Sequence, residues 1–220
     1  MFHVLNRGVG RMRLFLKDGD FAAFERIVAK TLDTRPMRIV AYTLMPNHWH
    51  LVLWPARDGD LAAFMQKLTI THARNWQENR RRVGYGHLYQ GRYKSFPIQS
   101  DEHFYQVVRY VERNPLRAKL VDRADEWRWG SLWRRTHGSA DERAMLSDWP
   151  LARPRQWLRQ VNRPQSEAEL RALRLSVGRG QPYGDDAWVR KTAGRLGLES
   201  TLRPRGRPKR ATETEGLGGY

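Results

Sequence analysis

The alternation of apolar and polar positions divides the chain into strand-like and helix-like stretches. Phe2 to Arg7 (FHVLNR) reads as a short strand closed by Gly8 and Gly10, with Arg13 to Leu16 extending it or pairing nearby. Asp20 stands as an N-cap before Phe21, Phe24, Ile27, Val28 and Leu32, a stripe at helical spacing that ends ahead of Pro36. Arg38 to Leu44 is rich in Ile, Val and Tyr and predicts a second strand. After the turn Met45-Pro46-Asn47 the chain alternates again. On a strand this sends His48, His50, Val52 and Trp54 to one face and Trp49, Leu51 and Leu53 to the other. Asp60 then caps a second helix along which Leu61, Phe64, Met65, Leu68, His72 and Trp76 share a side.

Beyond Arg80-Arg81-Arg82 and a Gly-rich turn at Tyr85 to His87, the segment Tyr89 to Phe96 alternates as a further strand. Ser100 begins a third helix with Phe104, Val107, Val108 and Val111 as its core face and Pro115 as its stop. Leu116 to Val121 is a short helical or extended piece, and Trp127 to Trp133 packs aromatics. This order predicts an α+β layer fold, an antiparallel sheet covered by helices on one face. Composition shifts around Thr136 to Asp141, and the chain from there is helical, polar and Arg-rich. Helices are expected at Trp149 to Val161, at Ser166 to Leu175 with Ser166 as N-cap and Glu169 at the capping-box position, and at Asp185 to Leu196. Gly178 to Gly184 reads as a loop, and the last twenty residues, with almost no apolar content after a basic run, predict disorder in the free chain.

Charge narrows the partners. With 40 Lys+Arg against 23 Asp+Glu, a formal +17, the chain concentrates polyanions, and nucleic acid is the default partner. A membrane surface is the competitor, but there is no amphipathic lysine helix with a clean apolar face, and no stretch approaches the length of a span. Arginine outnumbers lysine, which suits bidentate phosphate and base contacts. The absence of cysteine removes disulfide scaffolds, thiolate zinc sites and thiol catalysis. With no signal peptide at the start, a soluble cytoplasmic protein is expected.

Within that frame a few residues can carry chemistry. Two imidazoles on one face of a strand, His48 and His50, can hold a divalent ion from one direction. A bare H-x-H pair is more often two polar residues on a half-exposed strand. The preceding apolar strand, the Pro-Asn turn and the basic chain weigh toward the ion. Tyr110 and Asn114 are four apart on the third helix and share a face. A tyrosine hydroxyl is a poor nucleophile at its free pKa of about 10, so it needs a polarised phosphate. An asparagine carbonyl is a hard ligand suited to Mg2+ or Mn2+. The plain alternatives are a core-edge tyrosine, one of eight, and a helix-terminal asparagine before proline. Arg92 and Lys94, interleaved with aromatics, can grip phosphates while bases stack. Arg7, Lys67, Arg74, Arg80, Arg81 and Arg82 are further candidates for DNA contact, although an arginine run is often only a solvated face.

His48-Trp49-His50 together with Tyr110-x-x-x-Asn114 resembles the HUH single-tyrosine nucleases and, more narrowly, the REP-associated tyrosine transposases. The phrases Val4-Leu5-Asn6-Arg7-Gly8, Leu44-Met45-Pro46-Asn47-His48-Trp49-His50, His87-Leu88-Tyr89-Gln90-Gly91-Arg92-Tyr93-Lys94-Ser95 and Tyr110-Val111-Glu112-Arg113-Asn114-Pro115-Leu116-Arg117-Ala118 run in family order from residue 2 to about 135. Tryptophan at the middle HUH position is bulky but hydrophobic, as the pattern asks. Asparagine at the fourth position after the tyrosine matches this branch, where related insertion-sequence transposases usually have glutamine. One departure is at the front, where the first strand starts almost at Met1, from which a missing short basic leader is expected.

The resemblance implies a ferredoxin-like catalytic domain at residues 1–135, followed by a helical Arg-rich region at 136–200 and a basic tail at 201–220. It implies binding of single-stranded DNA bearing REP- or BIME-like hairpins, and Mg2+ or Mn2+ on His48, His50 and Asn114. Tyr110 is then the nucleophile that forms a 5′-phosphotyrosine intermediate in DNA nicking and rejoining. Localisation with the nucleoid follows, while monomer or homodimer is left open. A catalytically silent hairpin-binding regulator of the same fold is the alternative, and an RNA-binding module is a third reading, since such a sheet can stack single-stranded bases. In the tail, Pro204-Arg205-Gly206-Arg207-Pro208 matches the core of an AT-hook, in which Arg205 and Arg207 enter a narrow minor groove. A generic basic tail is the plain alternative.

Overall fold

Strands β1 (Phe2–Arg7), β2 (Arg38–Met45), β3 (His48–Trp54) and β4 (Lys94–Pro97) form one sheet in the order β2-β3-β1-β4, with every neighbouring pair antiparallel. The computed structural model describes residues 1–203. Helix α1 (Asp18–Thr34) connects β1 to β2, and α2 (Asp60–Asn79) lies between β3 and β4. This is the α+β, ferredoxin-like arrangement expected from the sequence.

Alternation separates the two faces. Val4, Trp49, Leu51 and Leu53 join Phe21, Phe24, Ile27 and Val28 of α1 and Phe64, Met65 and Leu68 of α2 in one cluster. On the other face Val40, Ala41, Val52 and Phe96 meet Phe104, Val107, Val108 and Val111 of α3 (Glu102–Glu112). Helices therefore cover both faces, not one. The reason lies in β2, buried at every position from Ile39 to Met45, because a strand that is apolar on both sides needs cover on both sides.

After α3 come α4 (Asn114–Arg117), α5 (Ser131–His137), α6 (Ala140–Arg143), α7 (Trp157–Asn162), α8 (Glu167–Arg179) and α9 (Asp186–Leu196). Trp157 and Val161 of α7, Leu170 and Leu173 of α8, and Tyr183 share the cluster that holds α3. A buried carboxylate pins this layer. Glu112 accepts from Ser131 Oγ at 2.7 Å and from Trp157 Nε1 at 2.7 Å, tying α3 to α5 and α7. Burial raises the pKa of that carboxyl, and the two donors offset part of the effect.

Several local expectations are corrected. Lys17, not Asp20, is the N-cap of α1; Asp20 works from inside the first turn, accepting from the backbone N–H of Leu16 at 2.8 Å and of Lys17 at 3.3 Å. Arg13 to Leu16 forms no strand. The N–H groups of Leu14 and Phe15 both donate to Pro46 O, which plugs the two buried side chains under the β2–β3 turn. Of Tyr89 to Phe96 only Lys94 onward is strand. The earlier part is tied to β1 by Gln90 N to Arg7 O at 2.8 Å and by Asn6 Nδ2 to Gly91 O at 3.2 Å. Pro115 does not stop the chain's helical path, because it sits in the first turn of α4, where its missing N–H costs nothing. Pro150 and Pro154 do break the helix expected at Trp149 to Val161, leaving Trp157–Asn162. α8 runs past Gly178 to Arg179 and closes on Gly180, whose φ of 74° suits glycine. Among the described residues no helix is long and apolar enough to cross a membrane. The AT-hook-like segment, with Arg205 and Arg207, lies outside the described residues.

Candidate active site

The antiparallel register of β1 on β3 pairs Arg7 with His48, Leu5 with His50 and His3 with Val52. His3, Arg7, His48 and His50 thus share one face, the face on which α3 lies. The β2 partner of His50 is Thr43, whose Oγ1 donates to Val111 O at 2.9 Å and fixes the C-terminal end of α3 over the histidines. That anchorage brings Tyr110 and Asn114 to His50. Asn114 Nδ2 lies 2.8 Å from His50 Nε2, and the Tyr110 ring stands edge-on to His50 with centroids 5.9 Å apart. His48 and His50 are themselves 5.0 Å apart, ring to ring. All four chemistry-bearing residues expected from the sequence converge here.

Their environments differ. His50 and Asn114 are buried, and His48 is half-buried with its Nδ1 held 2.6 Å from Asn47 Oδ1. The Tyr110 ring is buried, but its hydroxyl makes no hydrogen bond among the described residues and is not one of the buried unpaired atoms, so it reaches solvent. Burial, with help from Arg7 and Arg117, lowers the His48 pKa to about 4. The His50 pKa is held well below the usual imidazole range by burial first, then by His48, His3 and the two arginines. Both imidazoles are therefore neutral at physiological pH, the form that ligates a cation.

Two residues of this site have no counterpart among those expected from the sequence. Arg117 lays its guanidinium over the Tyr110 ring, 4.3 Å from the centroid. His3, fully buried on β1, places Nε2 2.9 Å from His50 Nδ1. A signal for each was present. Arg117 follows Asn114 by three on a helical path, and His3 alternates with Arg7 on the first strand.

The basic candidates separate into two groups. Arg7, Arg92 and Lys94 line a hollow of about 360 Å³ beside β1, with Leu5 and Gln90. Lys67, Arg74 and Arg80 belong to the α2 layer on the other side of the sheet. Arg74 pairs with Glu78 at 2.8 Å, and Arg80 pairs with Asp20 at 2.6 Å while stacking on Trp76. Arg82 stacks on Tyr85, and Arg81 takes a φ of 50° in the turn that follows α2. A larger groove of about 710 Å³ runs between α1 and α2 and includes Lys17, Arg26, Lys30 and Lys67, but none of the four converging residues.

The donor set fits a divalent cation. Two neutral imidazoles and one carboxamide offer nitrogen and, after rotation of the amide about χ2, oxygen. Among the described residues no carboxylate completes a group of three with His48 and His50. The groups that do come together, Asp101, Glu102 and His103, lie at the start of α3, where Asp101 is the N-cap and accepts from His103 N at 2.9 Å.

A family model described as "Transposase IS200 like" matches residues 1–114. Among solved structures, a REP-associated tyrosine transposase bound to a REP hairpin is similar in fold, with 19% sequence identity and a TM-score of 0.50 over 70% of this chain and 84% of that one. A putative transposase from Deinococcus radiodurans gives 21% identity and a TM-score of 0.39 over 50% of this chain and 87% of that one. No curated protein sequence matches the chain.

Proposed function

This chain belongs to the IS200-like transposase family, and from that premise we propose that it nicks and rejoins single-stranded DNA bearing REP-type hairpins, with Tyr110 as nucleophile. The observation that carries this reading is the contact of Asn114 Nδ2 with His50 Nε2 at 2.8 Å beside the Tyr110 ring. Packing needs no such cluster of polar groups from two separate elements, and a protein that only binds DNA gains nothing from it.

In the proposed reaction a scissile phosphate sits between the histidine face and Tyr110, held by Arg7 and Arg117. The Tyr110 Oη–P bond forms and the bond from phosphorus to the 3′-oxygen breaks. The 5′ end is left on tyrosine, and the phenolic proton ends on the released 3′-OH. Attack by another 3′-OH reverses these steps and restores the tyrosine. His48, His50 and Asn114 are the residues that would hold Mg2+ or Mn2+, which when bound supplies Lewis-acid polarisation of the phosphate. Because these ligands are neutral and two arginines stand beside them, the negative charge facing such a cation comes from the DNA. Ion and phosphate are therefore expected to bind together. In this reading residues 1–135 carry the reaction, residues 136–200 buttress α3, residues 201–220 add affinity for duplex DNA, and the protein works in the cytoplasm on the nucleoid.

A labelled single-stranded hairpin incubated with the protein and Mn2+ and run on a denaturing gel tests the reading. A covalent adduct is expected for the wild type and none for Tyr110→Phe, which removes only the hydroxyl. An adduct persisting in Tyr110→Phe moves the nucleophile elsewhere. Tyr105, whose hydroxyl donates to Ala152 O at 2.7 Å, is the first to check. No adduct in the wild type, with hairpin binding intact, supports the silent regulator instead.

A further inference from the structure

We propose that His3 is a positioning residue for His50, holding it in the tautomer whose Nε2 lone pair faces the cation site. The inference rests on the reading of His48, His50 and Asn114 as cation ligands.

His3 is an unusual residue to bury here. It is fully enclosed between Phe96, at a centroid distance of 4.8 Å, the His50 ring at 5.1 Å and the edge of Tyr110 at 6.3 Å. Apart from His50, the residues it touches on the sheet face, Val52 and Phe96, are apolar, and leucine or phenylalanine would fill the same space without a polar atom to satisfy. Among the described residues His3 Nε2 has one partner, His50 Nδ1, at 2.9 Å, and its other nitrogen, Nδ1, is buried with none. An imidazole that leaves one nitrogen unpaired is a net cost to folding unless the pairing of the other one matters.

The three groups Asn114, His50 and His3 form a line with two proton arrangements. In one, Asn114 Nδ2 donates to His50 Nε2, His50 Nδ1–H donates to His3 Nε2, and the His3 proton rests on Nδ1. In the other, His3 Nε2–H donates to His50 Nδ1, and His50 Nε2–H donates to the amide oxygen of Asn114. A cation on His50 Nε2 is compatible only with the first, because the ligand nitrogen must offer a lone pair. His3 then serves as the acceptor that keeps the His50 proton on Nδ1 and fixes the plane of the ring. This is the role that a carboxylate or carbonyl commonly plays behind a metal-bound histidine. Among the described residues no carboxylate bonds to His50, and a second imidazole takes the position.

The test uses the full-length chain carrying Tyr110→Phe, so that no covalent product forms, with Mn2+ and a single-stranded DNA hairpin. Mn2+ affinity read by electron paramagnetic resonance is expected to fall roughly 10- to 100-fold in His3→Leu, the range typical for loss of a residue behind a ligand. Hairpin affinity without metal should be unchanged. His3→Gln, which can place an amide oxygen near His50 Nδ1, should recover part of the loss. His50→Ala is run in parallel. Wild-type Mn2+ binding in both His3→Leu and His50→Ala overturns the cation site itself; loss in His50→Ala with none in His3→Leu overturns only the role given to His3. A measurement without a variant at His3 guards against misfolding. Long-range proton–nitrogen correlation of the imidazoles in the Mg2+-loaded complex should show His50 protonated on Nδ1, and a proton on Nε2 there would refute the assignment.

Discussion

The two faces of one sheet each carry a buried apolar cluster but use their polar groups differently. Toward α1 and α2, Trp49 Nε1 donates to Tyr89 Oη at 3.1 Å, and that oxygen lies 2.5 Å from His72 Nδ1. A second closed set joins Glu25, Tyr42 and Arg134, with the guanidinium 2.6 Å from Glu25 Oε2. Toward α3, among the described residues, the line His3–His50–Asn114 ends in an unpaired nitrogen at His3, and the Tyr110 hydroxyl beside it makes no hydrogen bond. Closed networks have nothing left to offer a ligand. Among the described residues the open one leaves the Tyr110 hydroxyl without a hydrogen bond, beside two neutral imidazoles. Trp49 and its neighbours His48 and His50 thus belong to different kinds of site, separated only by the period-two alternation of β3.

The largest contrast is expected from breaking each face at its histidine. His50→Ala should abolish hairpin cleavage, by roughly 10³-fold if the bound cation contributes several kcal/mol to the transition state, a loss per folded molecule that the stability lost with the buried ring does not account for. His72→Ala should do the reverse. It removes a fully packed ring and leaves Tyr89 Oη short of a partner, for a loss of about 2–4 kcal/mol in unfolding free energy, while cleavage per folded molecule persists. Urea titration beside single-turnover cleavage measures both. Equal loss of cleavage in the two variants would show that the two faces are not functionally separate.

Much of this contrast was legible in the sequence, because alternation and helical spacing are local signals. The strand at Phe2–Arg7, the facing of His48 with His50, the shared side of Tyr110 and Asn114 and the capping box at Ser166 and Glu169 all came from neighbours within a few residues. What was not legible depended on register between distant strands. His3 acquires its meaning only when β1 is laid antiparallel on β3, so that residues 3 and 50, far apart in the chain, touch. The burial of Glu112 depends likewise on Ser131 and Trp157, whose approach no periodicity announces. Pro150 and Pro154, by contrast, are local signals, and they cut the helix expected at Trp149 to Val161 down to Trp157–Asn162.

A smaller effect is expected from the clamp that places α3. Glu112→Ala leaves Ser131 Oγ and Trp157 Nε1 without their acceptor, at a cost of about 1–3 kcal/mol for each group so stranded. Cleavage should fall with it, because Tyr110 and Asn114 flank that residue. Glu112→Gln keeps one acceptor oxygen and the shape, so most of the stability should return. Restored stability without restored cleavage would mean that the carboxylate does more than hold α3.

Acid sharpens the comparison again. Burial lowers the pKa of both His3 and His72 from 6.5 to about 3. A group whose folded pKa is depressed leaves the unfolded chain holding more protons between the two values, so stability falls as pH drops from about 6.5 toward 3. Each histidine contributes roughly 1.4 kcal/mol per pH unit in that window. Glu112 acts in the opposite sense, since its raised pKa favours the folded state below about 4.5 and loses that contribution as pH rises through its folded value. His48 and His50, whose pKa values are lowered in the same sense, add to this slope, so the wild type should lose stability steadily below pH 6. Urea unfolding of His72→Gln across the same range should show a slope shallower by one proton. An unchanged slope would mean that His72 is not protonated on unfolding.

The smallest effect on the chemistry is expected from the tail. Deleting residues 204–220 removes Arg205, Arg207, Lys209 and Arg210, none of which has a role in the proposed reaction. Each phosphate that the tail no longer neutralises should flatten the plot of log affinity against log salt by roughly 0.7 to 0.9. The full deletion therefore lowers the slope by at most about 3.6, with weaker binding to every duplex if the tail is a generic anchor. If Arg205 and Arg207 instead enter a narrow minor groove, the loss should be greater on AT-rich than on GC-rich duplex, because the narrow groove focuses negative potential. In either case cleavage of a short single-stranded hairpin at saturating concentration should stay within about twofold, since the groups on both faces of the sheet are untouched. Binding to the two duplexes at several salt concentrations, beside saturated cleavage, decides between anchor and hook. A fall in saturated cleavage on deletion would place the tail at the histidine face and undo its separation from the reaction.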